Sequence, residues 1–117
     1  MAEEKKLPVL SDDEIERRLK SDLSGWWYEG RWIRRKYNTD GWLTTLALVN
    51  TIGYVAESAA HHPDLEVTWG KVWVKLQTHS SGGITDKDFA LAREIEDHVL
   101  WRPGPDKIGR ASCRERV

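Results

Sequence analysis

The sequence has little sulfur, little phenylalanine and no long apolar run. A single cysteine, Cys113, excludes an internal disulfide framework and a zinc site built from several cysteines. No apolar run approaches the ~20 residues that a membrane-spanning helix needs. The first ten residues are charged and lack the apolar core of a signal peptide. We therefore expect a cytoplasmic protein with no membrane partner.

The sequence also lacks an excess of charge of one sign. Lys and Arg number 18 and Asp and Glu number 19, which gives a net charge of −1 over 117 residues. Such a balance provides no general attraction to nucleic acid. The one local basic cluster (Arg31, Arg34, Arg35 and Lys36) is typical of a solvated strand face. Without a second basic patch we expect no nucleic-acid partner.

Tryptophan, in contrast, is present in excess, with 7 residues against 3 Tyr and 1 Phe. A domain of this size buries only about two thirds of the surface of its unfolded chain. The indoles therefore lie in the core, at a ligand pocket or at a subunit interface. We expect most of them in the core or at an interface.

The order of the predicted elements is helix, hairpin, long helix, hairpin, helix. This order indicates an α+β fold, a small antiparallel four-stranded sheet packed on helices. An S-x-x-E capping-box pattern predicts the first helix over residues 11–22. Aromatic and β-branched residues around a glycine turn predict a hairpin over 26–37, and alternating residues after Gly70 predict a second over 66–78. We expect a flexible N-terminal arm over residues 1–10 and a single domain over residues 11–103.

The longest predicted helix covers residues 42–60. Apolar residues at three- and four-residue steps predict its core face as Trp42, Leu46, Val49, Gly53, Ala56 and Ala60, widened by Leu43, Ala47 and Tyr54. The last helix is predicted to begin at Thr85 as N-cap with Asp88 at position N3, a relative of the capping box. Its predicted core face is Phe89, Ala92, Ile95 and Val99.

The last ten residues, 108–117, fit none of these elements. They back-translate into a string that looks like a common sequencing adapter read in frame, so we interpret them as an assembly scar that is not native. This interpretation removes Cys113 from functional reasoning and changes the net charge to −3. It also implies that the native C-terminal residues are missing.

Three histidines, His61, His62 and His79, lie near the ends of predicted elements. Glu57 lies one turn before His61, so the two share a face if the helix extends that far, and Asp88 opens the last helix. Imidazoles beside carboxylates are the groups that general acid–base catalysis uses near neutral pH. From these residues alone the site is a proton-transfer site, a zinc site completed by water, or a structural hydrogen-bond network.

These residues belong to a longer pattern, composed of Glu57-x-x-x-His61-His62-Pro63, Val72-x-Val74-x-Leu76-x-Thr78-His79 and Gly83-Ile84-Thr85-x-x-Asp88. The pattern resembles the motif of the pterin-4a-carbinolamine dehydratases over roughly residues 23–99. Members often have Phe-rich strands before the first part of the motif, where this chain has Trp and Tyr. The resemblance implies dehydration of a 4a-hydroxytetrahydropterin to quinonoid dihydropterin in pterin recycling. It implies no metal and no organic cofactor.

The resemblance also implies roles for these residues. His62 and His79 are the candidates for the general acid and general base, in an order left open, and His61 is a substrate binder or proton partner. Glu57 either hydrogen-bonds the pterin or orients an imidazole, and Asp88 orients a histidine.

Two further expectations follow from the resemblance. Pro63 is expected to fix the conformation of the loop that carries the first two histidines. Family members commonly form homodimers or homotetramers, so we expect a homo-oligomer. The alternative function is a non-catalytic dimerisation, assembly or transcription-cofactor module with the same fold. Retention of all three histidines favours the enzyme.

Overall fold

The two predicted hairpins join into one antiparallel sheet. The computed structural model describes residues 7–102. Its elements are α1 (Asp12–Asp22), β1 (Trp26–Glu29), β2 (Trp32–Asn38), α2 (Trp42–Ala59), β3 (Asp64–Thr68), β4 (Lys71–Leu76) and α3 (Asp86–His98). The strand order is β1-β2-β4-β3, with every neighbouring pair antiparallel. The predicted element order and α+β fold are therefore confirmed.

The sheet has two different faces because successive side chains of a strand point to opposite sides. One face, the inner face, packs against the helices and is built from Trp26, Ile33, Tyr37, Val72, Val74 and Leu76. The opposite face, called here the open face, carries Trp27, Arg34, Trp73 and Lys75 among others. In β2 the two sets alternate along the strand. Gly30 and Arg31 provide the left-handed backbone of the β1–β2 turn, with φ of 62° and 71°.

The predicted core face of α2 is wrong for most of its residues. The buried residues of α2 are Thr45, Leu48, Ile52 and Ala56, and Val49 packs partly buried against the core. Of the predicted face, Ala56 and Val49 are thus confirmed, while the other residues are exposed, above all Leu43 and Tyr54, whose residue exposures are 80% and 79%. Because α2 has apolar residues nearly all round, its periodicity cannot select the face that the sheet covers. The helix also ends at Ala59, and Ala60 adopts a left-handed conformation with φ of 54°.

The other helix boundaries agree closely with the prediction. Ser11 caps α1 by accepting a hydrogen bond from the Glu14 backbone N–H. Thr85 and Asp88 form the reciprocal capping box of α3. The predicted core face of α3 is confirmed, since Phe89, Ala92, Ile95 and Val99 are all buried.

Tryptophan contributes less to the core than we expected. Trp26 alone of the seven is fully buried, while Trp42 and Trp69 are exposed. The core instead depends on aliphatic residues. Ile33, Ile52 and Ile95, from the sheet, α2 and α3, have no exposed surface.

Two predictions concern the ends of the chain. The scar predicted at 108–117 and the first part of the predicted arm, 1–6, lie outside the described residues. The rest of the arm contacts the loop before α3. The Leu10 N–H donates to the Ile84 carbonyl at 2.8 Å, and the Ser81 hydroxyl donates to the Leu7 carbonyl at 2.9 Å.

Glu96 connects α3 to the inner face of the sheet. Its Oε2 accepts from Trp26 Nε1 at 3.0 Å, Arg35 Nε at 2.5 Å and the Tyr37 hydroxyl at 2.8 Å. Burial by itself raises the pKa of Glu96, but the hydrogen bond and charge of Arg35 outweigh it, and the net pKa is lowered. Burial also raises the pKa of Tyr37, which keeps its hydroxyl protonated as a donor.

We predict that Glu96→Gln lowers the free energy of unfolding by about 2 kcal/mol at pH 7, because three donors lose a charged acceptor. A lowered carboxyl pKa stabilises the fold above the ordinary value of 4.5, and this contribution is lost as pH falls through the lowered pKa. The difference between wild type and variant should therefore shrink at pH 3. Urea denaturation at both pH values measures it.

Glu94→Gln is the matched control for this prediction. Glu94 lies on the same helix, but its side chain is 55% exposed and faces His98. We expect this variant to change the free energy of unfolding by less than about 0.5 kcal/mol. Equal stability of the two variants at pH 7 would contradict the anchoring role of Glu96.

Candidate functional site

The carboxylate of Asp88 lies at the centre of the candidate site. Its side chain has no exposed surface. Oδ2 accepts from the Thr78 hydroxyl at 2.7 Å and from the Thr85 backbone N–H at 2.9 Å, and Oδ1 lies 2.6 Å from His61 Nε2. The hydroxyls of Thr78 and Thr85 are also 2.8 Å apart. One buried carboxylate therefore contacts the start of α3, the residue before His79, and His61.

His61 follows the end of α2 and is held in one orientation. The left-handed Ala60 turns the chain, and the His61 N–H donates to the Ala56 carbonyl at 3.2 Å. The side chain is 11% exposed. Because a carboxylate accepts hydrogen bonds, Nε2 of His61 is the donor in its contact with Asp88.

Glu57 contacts His62. Its shared helical face with His61 required α2 to extend that far, and α2 ends at Ala59. Glu57 Oε1 lies 2.8 Å from His62 Nε2. This pair is exposed, with 77% of the Glu57 side chain and 64% of the His62 side chain accessible. The pair is therefore accessible to a dissolved molecule. Pro63, which is half-buried, separates His62 from the start of β3.

His79 lies beyond the end of β4 and is exposed. Its ring stands edge-on to Trp32, with the ring centroids 5.7 Å apart and the planes at 77°. Thr78 points inward to Asp88, so the next residue, His79, projects on the side of the open face. Within residues 7–102, no hydrogen bond or ring contact connects His79 with His61 or His62. The connection is indirect, through Thr78 and Asp88.

The zinc alternative requires several ligating side chains that converge on one point. Among residues 7–102, no three His, Cys, Asp or Glu side chains converge on a point that could hold a metal ion. His61 Nε2 is engaged by Asp88, and His62 Nε2 by Glu57. The geometry therefore provides imidazoles paired with carboxylates, which suits proton transfer.

Over the part of the chain that the structure describes, no helix is both long enough and apolar enough to cross a bilayer.

Thr78, Trp32 and Lys75 were not assigned roles in the sequence analysis. Thr78 occurred in the motif, but only the fold shows that its hydroxyl donates to Asp88. Lys75 Nζ lies 4.3 Å from the ring centroid of Trp32, which in turn contacts His79. The pairing of β2 with β4 brings Lys75 near Trp32.

The fold and the site together define a class: a small α+β domain with two carboxylate-paired imidazoles after α2 and a third imidazole after β4. The sequence profile of the family described as "Pterin 4 alpha carbinolamine dehydratase" matches residues 8–98, and the chain belongs to this family. A relative from Aquifex aeolicus is 46% identical over 90 residues, which are 77% of this chain and 90% of that protein. It carries a provisional name for the same activity, pterin-4-alpha-carbinolamine dehydratase.

Solved structures show the same fold. A transcriptional coactivator/pterin dehydratase from Brucella melitensis superimposes with a TM-score of 0.72 at 26% identity, over 79% of this chain and 99% of that one. A pterin dehydratase-like protein identified as a RuBisCO assembly factor superimposes with a TM-score of 0.56 at 15% identity, over 67% of this chain and 93% of that one. At this identity the second likeness concerns the fold alone.

We predict that Asp88→Ala lowers the free energy of unfolding by about 3 kcal/mol. The change leaves the Thr78 hydroxyl, the Thr85 N–H and His61 without their shared acceptor and removes half of a capping box. Asp88→Asn keeps an acceptor oxygen, so we expect a smaller loss. Thermal and chemical denaturation measure both.

Asp86→Ala is the control, because Asp86 lies on the same helical turn with a 70% exposed side chain paired to Arg18. We expect a cost below about 1 kcal/mol for it. If Asp88→Ala is no more destabilising than Asp86→Ala, Asp88 does not have the central role described here.

Proposed function

We propose that this protein is a cytoplasmic dehydratase that converts 4a-hydroxytetrahydropterin into quinonoid dihydropterin and water, in support of pterin recycling. In this reaction the bond between C4a and the hydroxyl oxygen breaks. One proton goes to the departing hydroxyl, and one leaves the adjacent ring nitrogen, N5. The N5 lone pair forms the new double bond to C4a. The chemistry therefore needs one acid and one base that act close together.

The observation that carries this proposal is the 2.6 Å contact between His61 Nε2 and the buried Asp88 carboxylate. It orients one imidazole, while the imidazoles of His62 and His79 are exposed, and all three occupy the positions where the family motif has its histidines. A fixed, mostly buried His61 suits the binding of the pterin ring and its hydroxyl through Nδ1. Asp88 acts through His61 and is a positioning residue.

His62 and His79 are proposed as the acid and base because both are exposed to an incoming substrate. An imidazole donates or accepts a proton near neutral pH, so either assignment satisfies the reaction. Glu57 contacts His62, which supports a role in orienting that ring, with hydrogen bonding to the pterin as the other role. Pro63 is proposed to fix the turn between His62 and β3.

We predict that His62→Ala and His79→Ala each lower the dehydration rate by about 10²-fold, since each removes an acid–base group. The measurement follows chemically generated 4a-hydroxytetrahydropterin and subtracts its spontaneous dehydration. His98→Ala is the control, because His98 lies on α3 with a 54% exposed side chain and should leave the rate unchanged. Wild-type rates in both site variants would remove these residues from the mechanism.

The apolar outer face of α2 supports a homo-oligomer. Leu43, Leu46, Ala47, Gly53 and Tyr54 are exposed on this helix, and the polar Asn50 lies between the two groups. Exposed apolar side chains grouped in this way mark an interaction site in soluble proteins. We propose that the α2 helices of two or more copies pack against one another through this face.

We predict that the double variant Leu43→Glu/Tyr54→Glu is a monomer, because burying two carboxylates at an apolar helix contact is unfavourable. Light scattering coupled to gel filtration measures the mass. Leu100→Glu is the matched control, since Leu100 is 80% exposed but lies beyond α3. A wild-type protein that is already monomeric at micromolar concentration would overturn the proposed contact.

A non-catalytic module is the alternative function. The name of the Brucella melitensis structure includes transcriptional coactivator, and a protein of the same fold is identified as a RuBisCO assembly factor. The exposed α2 face suits a protein partner as well as a second copy. Dehydration no faster than the spontaneous reaction would favour this alternative over the enzyme.

A further inference from the structure

The open face of the sheet carries two cations that the proposed reaction does not use. Arg34 on β2 and Lys75 on β4 are directly opposite each other in the strand register. Like charges at opposed positions destabilise a sheet. No ion pair within residues 7–102 includes either of them. The fold thus keeps two like charges at opposed positions, and a bound anion would offset their repulsion.

Both side chains of this cationic pair turn toward the end of the sheet that carries His79. Arg34 Nε donates to the Glu29 carbonyl at 2.9 Å, and Lys75 Nζ lies 4.3 Å from the centroid of the Trp32 ring. Glu29 and Trp32 are register partners on neighbouring strands, so both cations approach the same pair of opposed residues. The Trp32 ring also contacts His79, with the centroids 5.7 Å apart. Trp32 therefore connects the cationic pair to the proposed active site.

The surrounding charges confine the positive region to the middle of the sheet. Asp64 is opposite Lys75 in the register on edge strand β3, yet the two form no ion pair, because the ammonium lies over Trp32 instead. Glu66, also on β3, is the next carboxylate along that edge. A groove of about 360 Å³ crosses this region, and Trp27, Arg34, Trp73, Lys75, Asp64 and Glu66 are among its lining residues. On β1, the other edge strand, Glu29 is a further carboxylate of the open face. The cations thus occupy the central strands, and carboxylates occupy both edges.

We infer that Arg34 and Lys75 form an anion subsite of the proposed active site. The substrate is then a pterin whose side chain carries a phosphate or carboxylate group. With the ring at the histidines, the side chain extends past Trp32 to the cationic pair, where charge-assisted hydrogen bonds hold the anion. This inference rests on the proposed function and adds the class of substrate.

The first test compares three 4a-hydroxytetrahydropterins that differ in the side chain: a phosphate monoester, a carboxylate and a neutral hydroxylated chain. We expect kcat/KM to be about 10-fold higher for at least one anionic substrate than for the neutral one. The preference should decrease with added salt, because the subsite is open to solvent. Comparison of the two anionic substrates shows whether the subsite accepts phosphate or carboxylate. Equal kcat/KM for all three substrates would overturn the inference.

Variants then assign the preference to the cationic pair. Lys75→Gln should reduce the ratio of kcat/KM between the anionic and neutral substrates about 10-fold, and Lys75→Arg should largely preserve it. Lys71→Gln is the matched control, since Lys71 is on the same strand and face but opposite Asn38. A ratio that Lys75→Gln leaves unchanged, or that Lys71→Gln lowers equally, contradicts the assignment.

A binding measurement separates failure of this inference from failure of the proposed function. Stable 7,8-dihydropterins with a side-chain phosphate, a side-chain carboxylate or a neutral side chain are titrated against the protein, and quenching of its tryptophan fluorescence is followed. Tighter binding of at least one anionic form that depends on Lys75 supports the subsite even if no dehydration is catalysed. Equal Kd values for the anionic and neutral forms overturn the subsite even if dehydration of the neutral substrate is fast.

Discussion

The hydrogen bonds of the buried Asp88 carboxylate are the interaction on which the rest of the site depends. A buried carboxylate is stable only when its oxygens are fully hydrogen-bonded, and Asp88 obtains its partners from three different segments. It caps α3 through Thr85, fixes the end of β4 through Thr78 and holds His61 after α2. Local stability and the orientation of a reactive group are thus supplied by the same atoms.

The two faces of the sheet have different roles in stability and in the site. The inner face carries the core and the Glu96 network, which secures α3 against the sheet. The open face carries the cationic pair of Arg34 and Lys75, and Trp32 joins it to His79. The basic cluster of the sequence is split accordingly, since Arg35 turns inward to Glu96 and Arg34 outward. A similar division occurs in α2, one side of which covers the sheet while the other remains apolar and exposed.

Sequence reasoning succeeded where a feature depends on neighbouring residues and failed where it depends on distant ones. The Thr85–Asp88 capping box and both hairpins follow from short patterns, and the structure confirms them. The core face of α2 was misassigned because a helix apolar all round can present either side. The partner of Glu57 was left open by the sequence, because one left-handed residue, Ala60, decides that the helix ends before His61.

The sequence alone determined the element order, the α+β class and the family, because turn residues, caps and motif spacing act over a few residues. It also named the histidines and carboxylates of the candidate site. Only the tertiary structure decided which of them meet: His61 with Asp88, His62 with Glu57, and His79 with Trp32. The pairing of β2 with β4 likewise placed Arg34 opposite Lys75. Such contacts join residues far apart in the chain, and side-chain packing, which no local pattern encodes, selects them.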